Sequence, residues 1–157
     1  MRVIKLFVWV VLCQIFILNN VQYNGYLNPY YYIIFIISIQ QSRVSSLLLS
    51  FILGLTIDFF SESHGIHTFA CVLISYIKPF LFNSVNQTSE DFNIMKFDLF
   101  FSRTILIVLI HHLTLFLLED FELHNILSII FKTLTSACFT MILLIAHKAM
   151  ISIKNEI

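Results

Sequence analysis

Long runs of apolar residues, separated by short polar breaks, make up most of this chain. Of its 157 residues, 59% are hydrophobic and only 11% carry a charge. Soluble domains carry about 25% charged residues, so this chain has less than half the usual share of groups that keep a domain in water. We therefore predict a polytopic membrane protein of the all-α class, with residues 1–157 forming a single integral membrane domain.

Six segments have the composition of helices that cross a bilayer. They cover about residues 3–21, 26–39, 44–60, 66–82, 99–118 and 126–147. The second segment contains only a short apolar run, residues 30–39, whose length also suits a re-entrant or interfacial segment. Tyrosines lead into this run, and we expect them at the level of the lipid headgroups: Tyr23, Tyr26, Tyr30, Tyr31 and Tyr32.

The basic residues predict the orientation of these segments. Eight of the nine Lys and Arg residues fall at one side of the predicted bundle: Arg2, Lys5, Arg43, Lys78, Lys96, Arg103, Lys148 and Lys154. The connections on the other side, residues 19–28, 61–65 and 119–125, contain none. Because basic residues are retained in the cytoplasm, we predict six spans with both termini cytoplasmic. The remaining residue, Lys132, lies within the last span, where it either reaches the interface or pairs with Asp58 or Glu119.

Charge and cysteine content exclude several kinds of function. The formal net charge is zero, which argues against a nucleic-acid partner. Cys13, Cys71 and Cys138 all lie in apolar runs without metal or redox spacing, so we interpret them as small buried hydrophobic residues.

Residues 45–82 form the most informative stretch, two apolar helices joined by a short polar turn. Gly54 and Asp58 are four residues apart, so they share one face of the first helix. A glycine on that face lets another helix approach closely, and a carboxylate there is costly unless it is paired. We expect Asp58 to organise the helix end or to pair across the bundle, with contact to a partner protein as the alternative. Glu62, one turn later, is expected in water.

The turn between these helices also offers candidate ligands. Gly65 suits a tight turn and His67 opens the next helix, which we expect Pro79 to end near the inner surface. His64 and His67 could bind a metal only with a third ligand that the spacing does not supply. His111 and His112 are adjacent on a helix and must point in different directions, so we interpret them as structural. The residues therefore predict no catalytic centre, no metal site and no cofactor.

The sequence resembles a known family, the rod shape-determining protein MreD of bacteria. The resemblance rests on Leu27-Asn28-Pro29, on the stretch from Phe51 to Phe60 with its Leu-Gly-Leu-Thr-Ile-Asp core, on Gly65-Ile66-His67-Thr68-Phe69-Ala70 and on Tyr76-Ile77-Lys78-Pro79-Phe80. It is specific over residues 27–82 and only compositional in the second half of the chain. Length, six spans and cytoplasmic termini also agree.

The resemblance implies a non-catalytic component of the cell-elongation machinery in the bacterial inner membrane. It implies docking to MreC, and through it to the MreB filament and to the RodA/penicillin-binding-protein cell-wall synthase. Gly54, Asp58, Gly65, His67 and Pro79 are then the candidate residues for helix packing or partner contact. The family's fold is similar to that of the substrate-binding subunits of energy-coupling-factor transporters. This supplies the alternative function, a vitamin-binding subunit, although the alanines here are too scattered to form the coupling face that such subunits often present.

Overall fold

A computed structural model describes residues 2–21, 27–39, 42–82, 96–120 and 125–156 of the chain. These residues contain six α-helices: α1 (Arg2–Phe16), α2 (Ile33–Ser38), α3 (Arg43–Ser61), α4 (Ile66–Phe82), α5 (Phe97–Glu119) and α6 (Ile126–Glu156). A 3₁₀ turn at Leu18–Asn20 extends α1. The described part of the chain contains no strand-built sheet, so the predicted all-α class is confirmed.

The helices pack in a simple order around the second segment. Helix α3 packs on α1 and α4, α4 packs on α5, and α5 packs on α6, while the short α2 lies against α1 and α4. Four helical segments of the described chain are long and apolar enough to cross a membrane: Val3–Asn20, Arg43–Ser61, Phe97–Glu119 and Ile126–Ile151. The apolar part of α4, Ile66–Leu81, is slightly shorter.

The second segment is not the continuous helix that the sequence predicts. Only Ile33–Ser38 is helical, and residues 28–30 before it are irregular. Tyr30, Tyr31 and Tyr32 are at most 8% exposed, so their side chains face the interior of the bundle and do not contact lipid headgroups. The isoleucines and the phenylalanine of α2 are buried as well. Residue 26, where this segment was expected to begin, lies outside the described residues, as do Tyr23 and Tyr26.

The buried irregular backbone is satisfied by side chains from two helices. Gln14 of α1 accepts from the backbone N–H of Tyr31 and donates to the carbonyl of Pro29, at 3.0 and 3.1 Å. From α6, Thr140 accepts from the N–H of Tyr30 at 3.0 Å. A second α6 residue, Ser136, accepts from the N–H of Asn28 at 2.9 Å. Irregular backbone can lie at membrane depth only where such partners exist, and here the bundle provides them.

The second segment nevertheless runs from one end of the bundle to the other. Asn28 lies beside the last turns of α1 and α3, at what we call the distal end, where α1, α3 and α5 finish and α4 and α6 begin. Near the opposite, proximal end, Lys78 of α4 donates to the carbonyls of Ile36 and Ile39. These carbonyls lie at the C-terminus of α2, where a cation is favourable.

Two further expectations were wrong. Pro79 does not end α4, because the helix continues through Pro79 to Phe82. A proline this close to the C-terminus removes only one helical N–H, and membrane helices tolerate that loss. Among the cysteines, Cys71 is buried as expected, but Cys138 is exposed on α6.

Candidate functional site

The turn between α3 and α4 reverses the chain sharply because several of its residues have a left-handed backbone conformation, with positive φ. Glu62 and His64 have φ angles of 54° and 53°, and Gly65 has φ of +94°. The last value is rarely adopted by residues that carry a side chain, which explains the glycine. The turn brings the start of α4 against the last turns of α3, and Gly65 directly precedes α4.

Asp58 caps the N-terminus of α4 from the neighbouring helix. A helix N-terminus needs an acceptor for its first N–H groups, and the preceding residue, Gly65, has no side chain to supply one. The Asp58 carboxylate accepts from the backbone N–H of His67 at 2.9 Å and from that of Thr68 at 2.8 Å. The Thr68 hydroxyl and the Ser63 hydroxyl also donate to it. Asp58 is only 6% exposed, and these donors together with the helix dipole compensate its burial.

Gly54 lies one turn before Asp58, where α3 and α4 approach most closely. A Cβ atom at this position would collide with the Cα of Thr68 and would lie 2.8 Å from its backbone nitrogen and 2.9 Å from the carbonyl oxygen of His67. The neighbour that the sequence could not identify is therefore α4 of the same chain. Gly54, Asp58, Gly65 and His67 together form one unit, which we call the α3–α4 joint.

The joint contains a serine, a histidine and an aspartate, but not in the arrangement of a hydrolase. The Ser63 Oγ atom lies 2.8 Å from His67 Nδ1, and Asp58 Oδ1 lies 3.1 Å from the same nitrogen. In a catalytic triad the serine and the carboxylate bind opposite nitrogens of the ring. Here the serine instead donates to Asp58 at 2.6 Å, so this arrangement holds the turn and does not activate a nucleophile.

Histidines and tyrosines form a polar cluster behind the joint. The Tyr32 hydroxyl lies 2.9 Å from His111 Nε2. His112 Nδ1 lies 2.8 Å from the carbonyl oxygen of Val108, so it carries the proton, and Nε2 then accepts from the Thr140 hydroxyl at 3.1 Å. Both histidines are completely buried. Neither histidine faces lipid, because His111 contacts Tyr32 of the second segment and His112 contacts Thr140 of α6.

The pairing of one further charged residue, Lys132, differs from the alternatives considered. Lys132 pairs with Asp120, 2.7 Å away, so its proposed pairing with Asp58 is wrong. Glu62 and His64 are exposed. Nowhere in the described ranges do three His, Cys, Asp or Glu side chains converge as they would around a metal ion.

A pocket of about 290 Å³ opens at the distal end, beside the joint. We call it the distal pocket. It is lined by Leu18, Asn19, Asn28, Pro29, Tyr30, Phe60, Ser61, Ser63, His67 and Glu119.

Sequence reasoning identified the residues of the joint but not the polar residues that hold the second segment. Gly54, Asp58, Gly65 and His67 stood out because glycine, a buried carboxylate and a turn are local signals. Gln14, Asn28 and Thr140 did not, because a single polar residue in an apolar run gives no sign of what it contacts. The contacts that join these residues to the second segment or join it to α6 link positions far apart in sequence, and only the packed structure shows them.

Comparison of the chain with protein-family models, with curated proteins and with solved structures gave no match.

Proposed function

We propose that this chain is an MreD-like, non-catalytic membrane component of a bacterial cell-elongation machinery. The observation that carries the proposal is the α3–α4 joint. The residues on which the resemblance rests most specifically have one shared purpose there: Gly54 permits the close approach, Asp58 caps α4, and Gly65 makes the turn. A motif that shapes a fold supports membership of a family defined by that fold.

The same observation supports a binding role over a catalytic one. Of the residues most suited to acid–base chemistry, Asp58 uses both carboxylate oxygens to hold the joint, and His67 uses its backbone N–H and Nδ1. In this proposal the protein lies in the inner membrane with both termini in the cytoplasm. It docks MreC, and through MreC it links the MreB filament to the RodA/penicillin-binding-protein synthase.

Photo-crosslinking from lipid-facing positions tests the proposed docking. Exposed side chains on different helices serve as reporter positions: Trp9 on α1, Leu55 on α3, Phe69 on α4, Leu106 on α5 and Leu134 on α6. With a photoreactive amino acid at each position in turn, we expect crosslinks to MreC from one helix or from two neighbouring helices. Normal rod shape after depletion of the chain, together with no crosslink from any position, would contradict the proposal.

The alternative function is a small-molecule-binding subunit of an energy-coupling-factor transporter. The distal pocket favours it, because such a subunit needs a polar cavity at its outer end. The volume of about 290 Å³ lies at the lower end of the range for small-molecule sites, about 300–1,000 Å³. Co-purification with paired ATPases, and a vitamin in the purified protein by mass spectrometry, would establish this alternative in place of the first.

A further inference from the structure

A basic side chain stacks on two aromatic rings at the proximal end of α3 and α4. The guanidinium carbon of Arg43, the first residue of α3, lies 5.0 Å from the centre of the Tyr76 ring and 5.6 Å from that of the Phe80 ring. The two rings are neighbours on α4, with centres 5.9 Å apart. A stacked guanidinium is held in one place while the N–H groups along its edge remain available to other acceptors. The two rings therefore orient Arg43 in advance of any ligand.

The donors of this group have no acceptor within the described ranges of the chain. No hydrogen bond or ion pair there uses the Arg43 guanidinium, and none uses the Tyr76 hydroxyl. Both residues are exposed. A guanidinium carries five N–H donors and a permanent charge. The pair thus presents one positive charge and several donors to an acceptor outside the described residues.

The charge around this pair is also positive. Helix α4 contains no Asp or Glu, and the only acidic residue of α3 is Asp58, near its distal end. Lys78 lies between the two aromatic positions on α4 and donates to carbonyls at the end of α2. An anion at Arg43 therefore meets no carboxylate from either of these two helices.

An apolar stripe extends from this cation along α4. Phe69, Tyr76 and Phe80 recur at intervals of seven and four residues, so they lie on one side of the helix, and they are 55%, 50% and 68% exposed. With a rise of 1.5 Å per residue, the stripe is about 16 Å long. One leaflet of a bilayer has a hydrocarbon thickness of about 15 Å. A cation at one end of an apolar stripe of this length matches the headgroup and acyl chain of a lipid.

We propose that Arg43 and Tyr76 bind the phosphate of an anionic phospholipid such as phosphatidylglycerol, with an acyl chain along the α4 stripe. The planar guanidinium can donate two parallel hydrogen bonds to phosphate oxygens, and the Tyr76 hydroxyl can donate a third. Phosphatidylethanolamine is disfavoured, because its ammonium group would lie close to Arg43 and Lys78. The eight basic residues that the sequence places at this end add a general attraction for anionic lipid.

Native mass spectrometry of the full chain in detergent micelles tests the lipid preference. The chain is titrated with phosphatidylglycerol, with phosphatidylethanolamine of the same acyl chains, and with glycerol phosphate, which has the anion but no chains. We expect one phosphatidylglycerol to bind more tightly than either of the other two probes. Equal affinity for the two lipids would overturn the proposal. Glycerol phosphate bound as tightly as phosphatidylglycerol would identify a site for soluble anions and would overturn it as well.

Variants locate the site. Arg43→Gln should weaken phosphatidylglycerol binding about tenfold, the loss expected for hydrogen bonds to a charged group. Arg43→Lys should restore only part of the affinity, because an ammonium group cannot donate in a parallel pair. Tyr76→Phe keeps the ring and should have a smaller effect than Arg43→Gln. Lys5→Gln is the matched control, since Lys5 is an exposed basic residue of α1 at the same end, and it should bind the lipid as the unchanged chain does.

Solid-state NMR in phosphatidylglycerol liposomes tests the contact itself. The phosphorus of the lipid should dephase one guanidinium carbon signal, and this signal should be missing from Arg43→Lys. Unchanged affinity in Arg43→Gln, or no dephasing of the Arg43 signal, would overturn the proposal. Loss of a crosslink from position 69 in Arg43→Gln with lipid affinity unchanged would assign the guanidinium to a carboxylate of a partner protein instead. The lipid measurements need no partner protein, so this inference and the proposed function fail separately.

Discussion

At the scale of single residues, Asp58 is the most consequential position. It is a carboxylate in an apolar chain, and each of its oxygens receives a backbone N–H of α4. Asp58 substitutes for a capping side chain that Gly65 cannot provide, and Gly65 is there because the turn requires φ of +94°. The two residues therefore depend on each other, although they lie seven positions apart.

We expect Asp58→Ala to destabilise the protein by roughly 3 kcal/mol. The substitution leaves the N–H groups of His67 and Thr68 without their acceptors at a buried helix end. Unfolding in detergent micelles, followed by circular dichroism, measures the loss. Glu62→Gln is the matched control, because Glu62 is an exposed carboxylate one turn later. Equal stability of the two variants would show that the cap contributes little.

Gly54→Ala should destabilise the protein although alanine is the better helix former. The intrinsic gain is about 1 kcal/mol. The added methyl group meets backbone atoms of His67 and Thr68, which cannot rotate away, so α3 and α4 must separate. Overpacking of this kind costs roughly 1–3 kcal/mol, and loss of the Asp58 contacts adds to it. The same unfolding measurement should therefore give a net loss.

Ser50→Ala is the control for this substitution. Ser50 lies one turn before Gly54 on α3 and is buried, and its hydroxyl has no partner among the described residues. Removing an unsatisfied hydroxyl should leave stability unchanged or raise it. A Gly54→Ala variant as stable as Ser50→Ala would mean that the two helices adapt without cost.

At the scale of elements, the second segment differs most from an ordinary membrane helix. In its first half, three backbone N–H groups donate to side chains of other helices, which are Gln14, Ser136 and Thr140. Its second half is a helix of only six residues whose last carbonyls are bound by Lys78. The surrounding helices thus specify the conformation of this segment.

Gln14→Leu should destabilise the protein by roughly 2–4 kcal/mol. Leucine keeps the size of the side chain but leaves the N–H of Tyr31 and the carbonyl of Pro29 unpaired inside the bundle. Limited proteolysis and thermal unfolding in micelles would measure the effect. Leu12→Ala on the exposed face of α1 is the control, and a variant no less stable than this control would contradict the assignment.

The elements also show why the sequence predicted some parts of the fold better than others. Helices α3 and α4 lie within one residue of the expected 44–60 and 66–82, because a continuous apolar run and a polar turn are local features. The interior of the second segment could not be predicted, since a tyrosine run has the same composition at a lipid interface and in a polar core. The prediction that Pro79 ends α4 was wrong for a similar reason, because the effect of a proline depends on its distance from the helix end.

At the scale of the whole molecule, the segments alternate between the two ends of the bundle. The distal end contains the joint and the pocket, and the Lys78 contacts with α2 lie near the proximal end. The sequence analysis assigns eight of the nine Lys and Arg residues to one side of the bundle, which corresponds to the proximal end. This charge asymmetry predicts that the proximal end faces the cytoplasm.

Cysteine labelling tests this orientation. In a background with Cys13, Cys71 and Cys138 replaced by alanine, single cysteines are introduced as Glu62→Cys and Asp98→Cys, both at exposed positions. Since α4 separates the two positions, a membrane-impermeant maleimide should label Glu62→Cys in intact cells and Asp98→Cys only after permeabilisation.

A reporter at the N-terminus decides whether the partly irregular second segment completes a crossing. With that crossing the N-terminus lies on the Asp98 side, because α1, the second segment and α3 then separate it from Glu62. A reporter found on the Glu62 side would mean that the second segment returns to the side from which it entered, and the six-span prediction would be wrong.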